Sequence, residues 1–265
     1  NNSYFRQNQQ LRAALEREMA ILAARKCTPL DAAELLRILT QIDSAEDEIR
    51  RGELDKELHT KMQMIFQDPY SSLNPKKTVR QILSEPYMIN RETFEGDIEQ
   101  KVLELCEMVA LPRNLLDHYP HELDGGMRQV VGIARALSLS PDFIVCDEPV
   151  SSLDVSVQAR IVNLLIDIQK QQNIAYLFIS HDLSVVRHIS NDIAVMYLGQ
   201  IVELANADEM FNQPMHPYSI ALLSAVPRIG QKMDRIILQG DVPSPIDPKP
   251  GCRFAPRCWM AKENC

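Results

Sequence analysis

Leu11, Leu15, Met19 and Leu22 recur every three or four residues, which puts them on one face of a helix. Thr28 ahead of Pro29, with Asp31 three residues on, opens a second helix whose apolar stripe is Leu35, Ile38, Leu39 and Ile42. Ser44 and Asp47 start a third, highly charged helix running toward Leu58. Residues 1–60 therefore read as a helical N-terminal segment, most simply a hairpin of helices packed on something, and no chemistry attaches to it. From Met62 the period changes. Residues 62–66 (MQMIF) predict a strand that Gln67-Asp68-Pro69 stops, and 78–138 read as helical, punctuated by Gly96, Pro112, Pro120 and Gly125-Gly126. The short apolar run 143–146 and the run 174–179 predict two buried parallel strands, with a helix over 155–172 between them and another near 182–190. Residues 192–198 and 199–203 predict a hairpin, and the proline-rich remainder an appended segment. Strands alternating with helices imply an α/β fold with a mostly parallel sheet.

Composition narrows this. The 265 residues contain nine glycines, about half of what an average usage of roughly 7% supplies. So poor a supply argues for a helix-rich chain with few special turns. Apolar content of 45% excludes disordered and low-complexity classes. A net charge of −8 argues against a nucleic-acid partner, which wants a basic face. It says nothing against a nucleotide, which is met locally by backbone amides and magnesium. No apolar run approaches the roughly 18–20 residues that cross a bilayer. Six cysteines are too sparse for a disulfide scaffold, so a reducing compartment is expected. Cys27, Cys106 and Cys146 lie in apolar contexts and read as core, but Cys252, Cys258 and Cys265 cluster in the last fourteen residues.

The strongest signal is FIVCDEP at 143–149. An apolar strand ending in two acids places Asp147 and Glu148 at the carboxyl edge of the sheet, where open α/β folds bind ligands. There Asp147 would hold magnesium on a nucleotide's phosphates and Glu148 would polarise an attacking water; such acids also serve merely to cap helices. The neighbours weigh on that choice. Gly125 and Gly126, within LDGGMRQ, open a helix, and glycines there let backbone approach a phosphate at a favourable helix N-terminus. Ser151-Ser152-Leu153-Asp154 follows the acidic pair directly. His181 follows the 174–179 strand, and Gln67 ends the first one. Five such features in this order and spacing are very hard to produce by chance.

From Met62 to about Leu204 the chain resembles the nucleotide-binding domain of an ABC transporter ATPase, joined after its phosphate loop. By that resemblance Gln67 matches the Q-loop glutamine and residues 123–129 the signature that meets the partner subunit's nucleotide. Asp147 and Glu148 match the Walker B pair, Ser151 to Asp154 the D-loop, and His181 the switch histidine. IFQDPYSSLNP at 65–75, YPHEL at 119–123 and HPYS at 216–219 with LLSAVP at 222–227 resemble the oligopeptide, dipeptide and nickel importers. The resemblance implies a partial P-loop NTPase fold with domains at 1–60, 61–204 (helical subdomain about 78–138) and 205–265. It implies ATP and Mg2+, a second ATP-binding subunit, membrane permease subunits, indirectly a solute-binding protein, and a peripheral place on the cytoplasmic face of the plasma membrane.

Two departures stand out. No G-x-x-x-x-G-K-[ST] occurs, and none of the nine glycines precedes a lysine, so the usual cradle of the β- and γ-phosphates is missing. Asp124 stands where the family places a serine that donates to the partner's γ-phosphate. Two like charges about 4 Å apart cost on the order of 4 kcal/mol at an effective dielectric near 20, unless the acid is protonated or turned away. The three terminal cysteines are spaced Cys-x5-Cys-x6-Cys, whereas zinc and iron–sulfur clusters usually take four ligands. The importer branch implies a fourth cysteine and an iron–sulfur cluster; ordinary structural cysteines are the alternative. The leading expectation is an ATP-hydrolysing importer subunit. The alternative is a non-hydrolysing structural or regulatory subunit, or a rearranged fragment, that keeps one half-site. A DNA-repair or chromosome-organising ATPase shares the signature but not the importer-like stretches.

Overall fold

A computed structural model describes residues 57–91, 94–226, 235–243, 250–263 and 265. The helices expected before residue 57, and Cys27, lie outside the described residues. The chain divides into two compact units, Asn1–Ser180 and His181–Cys265.

In the first unit β1 (Met62–Ile65), β2 (Phe143–Asp147) and β3 (Ala175–Ile179) form a three-stranded sheet in the order β1-β2-β3, all parallel. Ile65 pairs with Cys146, and Asp147 with Ile179. Strand β2 reads as an unbroken apolar run because it is central and covered on both faces: Phe143, Ile144 and Cys146 are fully buried. Strand β3, expected to be buried, is half-buried along its whole length. Among the described residues it stands at the edge of this sheet, which leaves one side of its ladder less covered.

Among the described residues of this unit the α-helices are α1 (Pro69–Ser72), α2 (Val79–Ile89), α3 (Ile98–Met108), α4 (Gly125–Leu137) and α5 (Val155–Gln172). Each starts on a side chain that accepts a backbone N–H, respectively Asp68, Thr78, Asp97, Asp124 and Asp154. Thr78 and Gln81 form a reciprocal capping box. The amides of Val79 and Arg80 donate to the carbonyls of His118 and Leu116 at 2.9 and 2.8 Å, tying the start of α2 to the turn before α4. Arg80 adds ion pairs with Glu99 and Asp117. Helix α4 buries Val130, Val131, Ile133, Ala134 and Leu137, so the helical excursion between β1 and β2 is packed through it. Cys106 and Cys146 are buried thiols, as expected, and burial pushes both pKa values up.

The second unit contains α6 (Leu183–Ile189), the antiparallel pair β4 (Asp192–Tyr197) and β5 (Gln200–Asn206), α7 (Ala207–Asn212) and α8 (Pro217–Ser224). Leu198 and Gly199 both take positive φ, +47° and +78°, as a two-residue hairpin turn requires. One cluster joins Val186, Ile193, Met210, Phe211 and Leu223. A second, aromatic one surrounds Phe254, which is fully buried with Tyr197, Tyr218 and His216 rings 5.2, 5.3 and 5.7 Å away. The 250–263 stretch is thus pinned onto the hairpin, and Arg253 also donates to the Leu198 carbonyl.

Removing a central strand side chain should expose how much the sheet depends on it. Phe143→Ala is expected to lower the unfolding free energy by about 3–5 kcal/mol, read from urea denaturation by circular dichroism. A loss under about 1 kcal/mol would mean that β2 is not enclosed as described.

Candidate functional site

Because β1 and β2 run parallel in this register, the residues that leave their carboxyl ends emerge on the same sheet edge. Gln67, two residues beyond β1, donates from Nε2 to Glu148 Oε2 at 2.8 Å, across 81 residues of sequence. Glu148 is half-buried and sits at φ +43°, a left-handed conformation that a glutamate adopts only under constraint. The constraint is visible. Its amide donates to the Ile179 carbonyl at 3.0 Å, while its own carbonyl accepts from the Ser151 amide and hydroxyl at 3.2 and 3.1 Å. Asp147 closes β2, half-buried and paired with Ile179. Neither acid caps a helix: the cap of α5 is Asp154. The capping alternative for Asp147 and Glu148 therefore falls away.

A second face lies at the start of α4. A cavity of about 460 Å³ is lined by Asp124, Gly125 and Gly126 on one side and by Ser152, Leu153, Asp154 and Val157 on the other. Both glycines have ordinary helical backbone, so neither is required for its φ. They are required for space. A Cβ on Gly126 would come to 2.7 Å from Val157 Cγ1, and one on Gly125 to 3.3 Å from Leu153 Cδ2. The pair thus lets α4 press against Leu153 and the first turn of α5, a reason the sequence did not disclose. Asp124 Oδ1 accepts the Met127 amide at 2.7 Å, so the unexpected carboxylate is bound back onto its own helix. Asp154 Oδ1 accepts the Ser156 hydroxyl at 2.6 Å and the Ser156 and Val157 amides at 3.1 Å. The Ser156 hydroxyl, then the Val157 amide, hold its pKa below the usual carboxylate value.

Sequence reasoning missed what joins these two faces. Arg135, on α4, donates from Nη1 to the Ser72 carbonyl at 2.6 Å, gripping the end of α1 just past Gln67. Burial lowers the pKa of its guanidinium. Arg128, two turns earlier on the same face, places its guanidinium 5.2 Å from the ring centre of Tyr70, itself an exposed aromatic. Two arginines seven residues apart on α4 were the available signal. Their target, a four-residue helix after Gln67, was not predictable.

Other expected participants are placed differently. His181 opens the second unit, where Asp182 beside it caps α6 by accepting the Ser184 amide at 2.8 Å. Cys252, Cys258 and Cys265 are not assembled as metal ligands: among the described residues no three His, Cys, Asp or Glu side chains are grouped to hold a metal ion. Local turns explain this. Cys258 Sγ accepts the Met260 amide and Cys265 Sγ the Lys262 amide, each at 3.4 Å, so each of these sulfurs serves its own turn. The set does not fit an iron–sulfur cluster as it stands.

Comparison with known proteins decides the family. Residues 33–151 match the ABC transporter family and residues 202–265 the family "Oligopeptide/dipeptide transporter, C-terminal region". The dipeptide transport ATP-binding protein DppF of Haemophilus influenzae is 50% identical over 207 residues, covering 77% of this chain and 63% of that protein. The oligopeptide transport ATP-binding protein AppF of Bacillus subtilis is 50% identical over 216 residues, covering 80% and 66%. This chain belongs to the oligopeptide/dipeptide branch of the ABC transporter ATP-binding proteins. It spans a little under two thirds of the length of these curated relatives. The fold agrees: an ATP-binding cassette, MJ0796, solved as a dimer in a post-hydrolysis state with ADP and Pi, superposes with a TM-score of 0.51 at 26% identity. That superposition covers 61% of this chain and 68% of the other. The ABC match begins at residue 33, well ahead of Met62, where the resemblance was first legible. For an ABC ATP-binding protein the residue types at the strand edge are apt, since this family implies ATP and Mg2+.

The packing role of the signature glycines is testable by a pair of substitutions. Gly126→Ala is expected to destabilise the chain by about 1–3 kcal/mol, and Val157→Ala in the same chain to recover most of that loss. Additive losses in thermal or urea unfolding would show that the two sites do not touch.

Proposed function

We propose that this chain is the ATP-binding and ATP-hydrolysing subunit of an importer for peptides or a related small solute. The observation that carries the reading is the Gln67–Glu148 hydrogen bond between the ends of two parallel strands, on a glutamate held in a left-handed backbone. A carboxylate kept in a fixed, strained orientation beside a neutral amide is suited to align one water for in-line attack. Glu148 accepts that water's proton or orients it, the γ-phosphoryl of ATP passes to the water, and ADP and phosphate leave. Asp147 would hold Mg2+, because Mg2+ leans on one or two carboxylates plus substrate phosphates and keeps its waters. When bound, the ion neutralises charge on the transferred phosphoryl group. Gln67 couples the state of the strand edge to α1, which Arg135 and Arg128 grip. His181 contacts the γ-phosphate.

In this reading the α4 face serves a partner's nucleotide. Gly125 and Gly126 present backbone amides at the helix N-terminus, with Asp154 across the cavity. Two ATP-binding subunits close around the nucleotide, and they work with membrane permease subunits and, indirectly, a solute-binding protein. Among the described residues no helix is long and apolar enough to cross a membrane. In this reading the subunit works as a peripheral partner of the permeases, on the cytoplasmic face of the plasma membrane.

A second reading is favoured by one observation: Asp124 brings a carboxylate to the face that would meet phosphate. On that reading the chain is a non-hydrolysing subunit that keeps one half-site. In the assembled importer, Glu148→Gln is expected to lower ATP turnover by about a hundredfold or more while ATP still binds. Unchanged turnover would remove Glu148 from catalysis and leave the non-hydrolysing reading. Asp124→Ser, which keeps the helix cap, is expected to tighten ATP-dependent subunit association, measured by sedimentation with Mg2+; unaltered association would mean that the capped carboxylate does not oppose the phosphate.

A further inference from the structure

Two cysteines that the metal reading leaves unused lie side by side through their backbones. The amide of Cys252 donates to the carbonyl of Cys265 at 2.7 Å. With the fixed lengths of the peptide unit, that contact holds the two Cα atoms within about 6.6 Å of each other, inside the roughly 4.4–6.8 Å that a disulfide spans. Both residues are exposed, and both thiols are free. Cys258 is placed otherwise: half-buried, it lies in the turn after Ala255–Arg257 and receives the Met260 amide.

The close approach depends on the residue before Cys252. Gly251 has φ +102°, and a Cβ there would come to 2.3 Å from the Cys265 carbonyl oxygen. Only glycine lets the two backbones meet in this way. Phe254, fully buried in its aromatic surround, and Arg253, bonded to the Leu198 carbonyl, hold the Cys252 end against the hairpin. One end of the pair is therefore anchored.

We propose that Cys252 and Cys265 are a reversible thiol–disulfide pair, closed by a low-molecular-weight disulfide oxidant such as oxidised glutathione. One cysteine thiolate attacks a sulfur of the oxidant, forming a mixed disulfide and releasing one glutathione thiolate. The second cysteine thiolate then attacks the protein sulfur of that mixed disulfide, the Cys252–Cys265 bond forms, and the second glutathione leaves. Two protein thiols are oxidised, one oxidant disulfide is reduced to two thiols, and the protons pass to the released glutathione. Closure removes two of the three terminal thiolates, so the oxidised pair cannot ligate a metal. Disulfides in reducing compartments are typically transient or redox-sensing, and a pair on the surface is accessible to reductant.

Tryptic mass mapping decides the matter, because cleavage after Arg253, Arg257 and Lys262 puts the three cysteines on three peptides. After incubation of the full chain with oxidised glutathione, the Cys252 and Cys265 peptides are expected as one linked species, about 2 Da below their sum and separated by dithiothreitol. The link should persist in Cys258→Ser and vanish in Cys252→Ser. Gly251→Ala should slow its formation by roughly tenfold while leaving the circular dichroism spectrum unchanged. Linkage to Cys258 instead, or recovery of all three cysteines as glutathione adducts or free thiols, would overturn the proposal. So would an unaltered rate in Gly251→Ala.

Discussion

The parallel register of β2 between β1 and β3 is the constraint on which the site depends. Ile65 opposite Cys146 and Asp147 opposite Ile179 bring the ends of all three strands to one edge. The chain that leaves β2 is then caught from two sides, by the Ile179 carbonyl and by the Ser151 amide and hydroxyl. That double hold is what sustains a glutamate at φ +43°, at a strain of order 1–3 kcal/mol. A slip of one residue would turn Phe143 and Val145 from one face to the other and carry Glu148 away from Gln67. Hydrophobic burial of β2 and the geometry of the acidic pair are therefore one requirement.

Helix α4 transmits this order to the rest of the first unit. Its first turn lies against Leu153 and the start of α5 because two glycines leave no side chain between them. Arg128, in that same first turn, meets the Tyr70 ring, and Arg135, two turns on, grips the Ser72 carbonyl at the end of α1. One rigid helix thus touches both the segment after Gln67 and the loop after Glu148. A displacement at either end must move the helix or break a buried contact, since a packed interior deforms little. The second unit is organised separately, around an apolar cluster and the Phe254 aromatic group, with its own hairpin as the frame.

Much of this was legible beforehand. An uninterrupted apolar run named β2 as a doubly covered strand, and a helical stripe marked α5 over residues 155–172 with its true bounds. The five motifs around the sheet edge could also be ordered along the chain. Strand β3 was less well read, since an apolar run does not say whether a strand is central or at an edge.

By itself the sequence determined the element types, the order of the motifs and the branch of the ABC family, all of which rest on local periodicity and residue chemistry. Only the tertiary structure decided that Gln67 meets Glu148 across 81 residues, and that Gly126 is needed for Val157 rather than for its own backbone angle. It also decided that Asp124 and Asp154 are spent as helix caps and that the terminal cysteines do not converge on a metal. The scarcity of glycine acquires a similar meaning. Gly126 and Gly251 stand where a methyl group would strike another part of the chain. Such clashes are between residues far apart in sequence or brought together by a turn, and no pattern along a single strand of text contains them.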